Sequence, residues 1–426
     1  MSSRRTSPEG AQADSSSAAP AFPPAPSHFV QRLDPGFIYV MSVPYVAGIS
    51  SIGDFQIAGF RYSGWIWATM LAAGGLLILA RKERIRFPVV LWLPWLGFVM
   101  LSLAWVQGYS LRNFQDAFQI VTPLVVGVVA SMRVRSKHEL RRLRKAFTHC
   151  LIIASAGYLV TLSGVFGGLS LAQRAMAMMA CFVGCVFAAT FGMSPVWSLA
   201  GWAGCLSLAF FTGSRMATVA LLAIWVVHPL HRGPLARLVA VGMVAVLGCL
   251  AFYTPVFQER FFGLEQGSLS QVSKGEFDSA GRFESWPLIW QEAREHPVLG
   301  AGVGQSGKFV ASVWPGTDQP HNDYLRIVFD QGFVGLVLFL AVVAWQFHHL
   351  HERIRRCRGE IRTAFAAAHM GLVVLLIIAF TDNPITYGVW YMHPLFAVLG
   401  GAYGAAGAAN EAGSGPEAFS GGEAQE

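Results

Sequence analysis

Twelve apolar runs, each 15 to 22 residues long and mostly separated by short polar connectors, restrict this chain to one kind of fold. They occupy 36–52, 62–80, 87–106, 116–132, 147–168, 175–192, 196–211, 216–230, 238–254, 333–347, 363–380 and 388–404. A hydrocarbon core of about 30 Å is crossed by roughly 20 helical residues, so each run is a candidate span. Hydrophobic residues make up 54% of the chain and charged residues 13%, whereas a soluble domain carries about 25% charge. Lipid cannot satisfy backbone polar groups, and continuous apolar runs without strict alternation exclude a barrel. The expectation is an all-α polytopic membrane protein with about twelve transmembrane helices.

One interval breaks the rhythm. Between the ninth and tenth runs lie 68 residues, Pro255 to Asn322, too long for a connector. Loops of that length in compact proteins carry function or short elements of their own. The chain therefore divides into a disordered tail over 1–35, spans over 36–254, a long loop over 255–322, a short helix and three spans over 323–404, and a second disordered tail over 405–426. Residues 1–28 are rich in Ser, Ala and Pro without an apolar h-region, unlike a cleaved signal peptide.

Charge orients the spans. With the N-terminus in the cytoplasm, 21 of the 31 lysines and arginines fall on inner segments, seven of them in 133–145 alone. The positive-inside rule then puts both tails inside and the long loop outside. The net charge of +7 is thus accounted for by membrane topology rather than by nucleic acid. None of the six cysteines lies in the long loop, so no disulfide framework is expected there.

The loop ends in His321-Asn322-Asp323-Tyr324-Leu325. A histidine exchanges a proton near neutral pH, and His321 stands where the loop rejoins the membrane, before a helix expected over 323–330. Asp323, Arg326 and Asp330 have the i+3 and i+4 spacing of an exposed salt-bridge ladder. Arg215, in the turn Thr212-Gly213-Ser214-Arg215, is either an interfacial anchor or a ligand for an anionic group. Arg282 precedes a helix whose Trp286, Ile289, Trp290 and Ala293 form an apolar stripe suited to lying on a bilayer surface. Gly302-x-Gly304-x-x-Gly307, within the run Gly300–Gly307, has the outline of a dinucleotide fingerprint, but the βαβ context is missing. It reads instead as a flexible turn close to substrate. The His348-His349-x-His351 cluster reads as a solvated inner surface, and nothing in the loop supports a metal or another cofactor.

The succession Gly281-Arg282-x3-Trp286, His296-Pro297-Val298-Leu299-Gly300-x-Gly302, His321-Asn322-x-Tyr324-Leu325 and Gly332-Phe333-Val334-Gly335 resembles the O-antigen ligase and polysaccharide polymerase superfamily. The resemblance covers roughly residues 212–335. It implies a C-type-like membrane glycosyltransferase of the inner membrane, with its active site on the periplasmic face. The implied donor is a glycan on undecaprenyl diphosphate, and the implied acceptor another glycan or a lipid A core. It also implies that Arg215 and Arg282 bind phosphate and that His321 is the essential catalytic histidine. Asn322, Tyr324 and Arg326, close to it in sequence, are expected to bind substrate. A flippase or transporter of lipid-linked sugars, or a non-catalytic scaffold of envelope assembly, would share the span count. No internal repeat of the kind common in transporters is visible, however.

Overall fold

The computed structural model describes residues 34–413, apart from 52–55, 58–59, 81, 163–171, 231–232, 263–267, 269, 272–280 and 315–316. Each of the twelve apolar runs overlaps a helix among the described residues. In chain order these are α1 Pro35–Ile49, α2 Tyr62–Leu79, α3 Val89–Leu101 continued by a 3₁₀ turn Ser102–Trp105, α4 Leu111–Arg133, α5 Lys137–Leu162 and α6 Gln173–Ala189. They continue as α7 Pro195–Phe211, α8 Arg215–Val226 and α9 Pro234–Phe252. The loop interval adds α10 Pro255–Phe262, α11 Arg282–Ala293 and α12 Gln305–Val313, and the chain closes with α13 Asp323–Arg356, α14 Gly359–Ile378 and α15 Met392–Gly413. The described residues are helical apart from turns and one antiparallel pair, Gln56–Ile57 with Phe60–Arg61. Four helices, α4, α9, α13 and α14, are long and apolar enough to cross a membrane, and six shorter ones are apolar.

The bundle centre is built where small residues let helices touch. Gly400 of α15 faces the backbone of Gly127 in α4, and Gly404 faces the carbonyls of Val134 and Ser131, so no side chain fits at either position. Close approach of this kind replaces the hydrophobic drive that lipid removes. Buried polar side chains pair between helices: Trp92 donates to Gln346 Oε1 at 3.1 Å, Trp95 to Gln331 Oε1 at 3.0 Å, and Gln346 Nε2 to the Tyr403 hydroxyl at 3.1 Å. An unpaired polar group there would cost several kcal/mol, about the desolvation of one hydrogen bond.

The basic connectors meet at one end of the bundle. Arg133 and Arg135 share Glu83 at 2.8 and 3.3 Å, Arg141 and Arg144 share Glu360 at 2.9 and 3.3 Å, and Arg86 holds Glu411 at 2.6 Å. Glu411 corrects one boundary. The tail expected from 405 continues α15 through Gly413, because its alanines propagate a helix and Arg86 fastens its last turn. Residues 1–33 and 414–426, the remainder of the two expected tails, lie outside the described residues.

At the opposite end, the loop interval is packed onto the bundle instead of standing away from it. Ile289 and Ala293 of α11 are fully buried with Val310 of α12 and Leu325, Val328 and Phe329 of α13. The stripe expected to face a bilayer surface therefore faces protein along this edge. The glycine turn is likewise a clasp and not a flexible loop. Gly300, Gly302 and Gly304 have φ of 72°, 98° and 79°, a region closed to most side chains. Ala301 N and Gly302 N donate to the carbonyls of Phe329 and Asp330 at 2.8 and 2.9 Å. Gly332, with φ 64°, kinks α13. The kink frees the amides of Phe333 and Val334 to reach Pro297 O and Val298 O at 2.8 and 3.2 Å.

Candidate functional site

His321 sits immediately before α13, and its backbone is in the left-handed region with φ 51°, the one non-glycine described residue with positive φ. Such conformations persist where neighbours impose them, often at functional sites. Three do so here. Asn322 caps α13, its side chain accepting from Leu325 N at 3.0 Å. Trp286 Nε1 donates to Pro320 O at 2.9 Å. The amide of Asp323 donates to Ala379 O at 2.8 Å. The imidazole is thereby fixed between the loop and the segment that follows α14.

Three side chains lie against the ring. Arg174, in the first turn of α6, places Nη1 at 3.1 Å from Nε2 and 3.3 Å from Nδ1 of His321. Asn383 Nδ2 lies 3.3 Å from Nδ1, and Asp382 Oδ1 lies 3.7 Å from it. The Tyr387 hydroxyl lies near Arg174, and burial and the nearby Asp382 carboxylate push it up to about 12. Tyr387 is therefore a neutral hydroxyl at physiological pH. With the ring proton on Nδ1, toward Asp382, Nε2 holds the lone pair and can act as a general base; in the other tautomer Nδ1 accepts from the Asn383 amide.

The two other arginines singled out from sequence each open a helix at this end of the bundle. Arg282 opens α11, half-buried, one turn before Trp286 and on the same helical face. Since Trp286 touches Pro320, that face looks toward the histidine. Arg215 opens α8, which runs parallel to α6: Cys181 meets Ala217 O, and His228 meets Ala188 O at 3.0 Å. This register sets Arg215 about one and a half turns deeper than Arg174, roughly 7 Å at 1.5 Å per residue. A cleft of about 350 Å³ opens between α11 and α12, lined by Glu292, His296, Gln305, Lys308 and Phe309.

The three residues expected to bind substrate have protein partners. Asn322 is the cap just described. The Tyr324 hydroxyl donates to Leu376 O at 2.8 Å. Arg326 is only 4% exposed and lies 3.8, 3.9 and 3.7 Å from Asp116, Asp323 and Asp330, with Thr386 against Nη1. The ladder expected on a surface is thus a buried cluster that gathers α4, α13 and the segment after α14. The reason is Asp116, a residue distant in sequence that turns i+3 and i+4 neighbours inward. Asp330 extends the cluster into the loop, accepting from Gly304 N at 3.0 Å and Ser306 N at 2.8 Å, which caps α12.

Sequence reasoning passed over Arg174, Asp382, Asn383 and Tyr387. Arg174 counted only toward charge bias. The polar pair Asp382-Asn383 at the end of an apolar run was the available signal, since such a pair beside lipid needs a reason.

A family model described as O-antigen ligase matches residues 200–340. The matched stretch contains Arg215, Arg282 and His321 and lies over the region of the resemblance drawn from the motifs. No curated protein matches the chain.

Proposed function

We propose that this chain, with the O-antigen ligase family over residues 200–340, is a membrane glycosyltransferase whose twelve apolar helices all span the bilayer. It moves a glycan from undecaprenyl diphosphate to an acceptor hydroxyl at the periplasmic end of the bundle. The observation that carries the reading is the strained placement of His321 at the lip of the bundle, beside Arg174 and away from the end holding the basic connectors. By the positive-inside rule, that distribution supports an outward-facing histidine.

The chemistry follows from the residue types. The acceptor oxygen attacks the anomeric carbon while His321 Nε2 takes its proton. The bond to the diphosphate breaks on the opposite face, inverting the anomeric centre, and undecaprenyl diphosphate leaves with its charge held by Arg215 and Arg282. Guanidiniums bind phosphate oxygens in pairs, and donors aimed at developing charge supply the largest share of such catalysis. Asn322, Tyr324 and Arg326 set the position of His321 through α13. The polar cleft beside α11 suits a hydrated sugar chain.

Transfer by the purified protein from undecaprenyl-diphosphate-linked glycan is the test. His321→Ala and Arg282→Ala are expected to lower it at least a hundredfold while the protein remains folded. Full transfer by either variant would overturn the assignment. Gene deletion sorts the acceptor: a lipid A core without any chain indicates a ligase, and a core with one repeat a polymerase.

A further inference from the structure

Arg174 is an exposed cation whose hydrogen-bond partner is the imidazole of His321, with the Tyr387 hydroxyl nearby and no carboxylate paired to it among the described residues. An arginine has donors and no lone pair. Its bond to His321 therefore exists only while the accepting ring nitrogen carries no proton. That nitrogen is the one the proposed reaction needs, so in this state Arg174 blocks the base. The bond is also weak next to what a guanidinium makes with an anion, since charge-assisted contacts are about twice as strong as those to a neutral acceptor.

We propose that Arg174 is a third phosphate-binding arginine and a guard on the base. An arriving diphosphate draws the guanidinium off His321 and exposes Nε2 to the acceptor hydroxyl. This rests on the function proposed above. The geometry suits an exchange of partners: Arg174 is in the first turn of α6, where helix amides also favour an anion, and lies about 7 Å above Arg215 on a parallel helix. The two arginines form a ladder along which two phosphates of one diphosphate fit. Exchange means that the base is uncovered only when a donor is in place.

The exchange makes an asymmetric prediction for binding of undecaprenyl diphosphate, without glycan, to the full-length purified protein. Arg174→Gln is expected to weaken binding about tenfold, and Arg174→Lys to restore part of it. His321→Ala is expected to bind as tightly as the unaltered protein or several-fold more tightly, because the arginine no longer has an imidazole to leave. The double variant is expected to match Arg174→Gln alone. Unchanged affinity in Arg174→Gln, with the unaltered protein binding normally, overturns the role of Arg174 and leaves the proposed reaction standing. Weakening by His321→Ala equal to that by Arg174→Gln overturns the exchange. Failure of the unaltered protein to bind the lipid sinks both. Equal melting temperatures for the variants confirm that a fold defect is not being read.

Discussion

The indole Nε1 of Trp286 donates to the carbonyl of Pro320 at 2.9 Å, so the helix carrying Arg282 is fastened to the residue before His321. In the proposed reaction, a cation and a base that approach one substrate from separate elements must keep their spacing, and one hydrogen bond from a rigid ring would hold it. The ring's other face meets Phe380 at a centroid distance of 5.9 Å, which ties the same point to the end of α14.

Trp286→Phe keeps most of the apolar contact and removes the bond. It is expected to lower transfer roughly tenfold, the rate equivalent of ~1.4 kcal/mol, while the melting temperature shifts by only a few degrees. A larger loss of melting temperature than of rate would show that the indole serves packing alone.

Asp382→Asn leaves the volume beside His321 Nδ1 unchanged and removes its charge. If the carboxylate holds the ring in the tautomer with Nε2 free, the rate falls by at least tenfold, with donor KM little altered. An equal rise in KM with unchanged kcat would assign Asp382 to binding instead.

Arg326→Met leaves Asp116, Asp323 and Asp330 buried together without their shared cation. Removing one member of a buried charged network costs about 3–5 kcal/mol, so this variant is expected to lose its folded yield in detergent. Arg282→Met, at a half-buried helix start, is expected to lose activity and keep its yield. Comparing the two by size-exclusion profile separates framework from chemistry.

Gly332→Ala sets a methyl group against the carbonyl of Val298 at a backbone φ of 64°. Strain of that kind costs about 1–3 kcal/mol before the clash is counted. The melting temperature is expected to fall by several degrees, and Gly75→Ala, where nothing lies within 4 Å, is expected to leave it unchanged.

The helices were legible because lipid imposes a length and a composition on them. Every apolar run overlaps a helix among the described residues, and the basic connectors gathered at one end as their alternation required. His321 and Arg282 were legible from their place in the one long polar interval. What could not be read was inwardness. Nothing in Asp323-x-x-Arg326-x-x-x-Asp330 announces that Asp116, two hundred residues earlier, turns the ladder inward, and nothing in the glycine-rich turn names Phe329 and Asp330 as its hydrogen-bond partners. Arg174 was missed for the same reason. A lone arginine in a connector acquires meaning only when the fold carries a histidine to it from the far side of the chain.

The Asp330 carboxylate joins two structures that differ in purpose. One oxygen lies 3.7 Å from the arginine of the buried cluster and also caps α12 at Gly304, while the other meets Ser306. Chimaeras that exchange the hydrophilic segment for that of another protein would therefore inherit its selectivity only if the incoming turn presents two amides at the same spot. Grafts that lack them would fail at assembly, before recognition of any sugar is put to use.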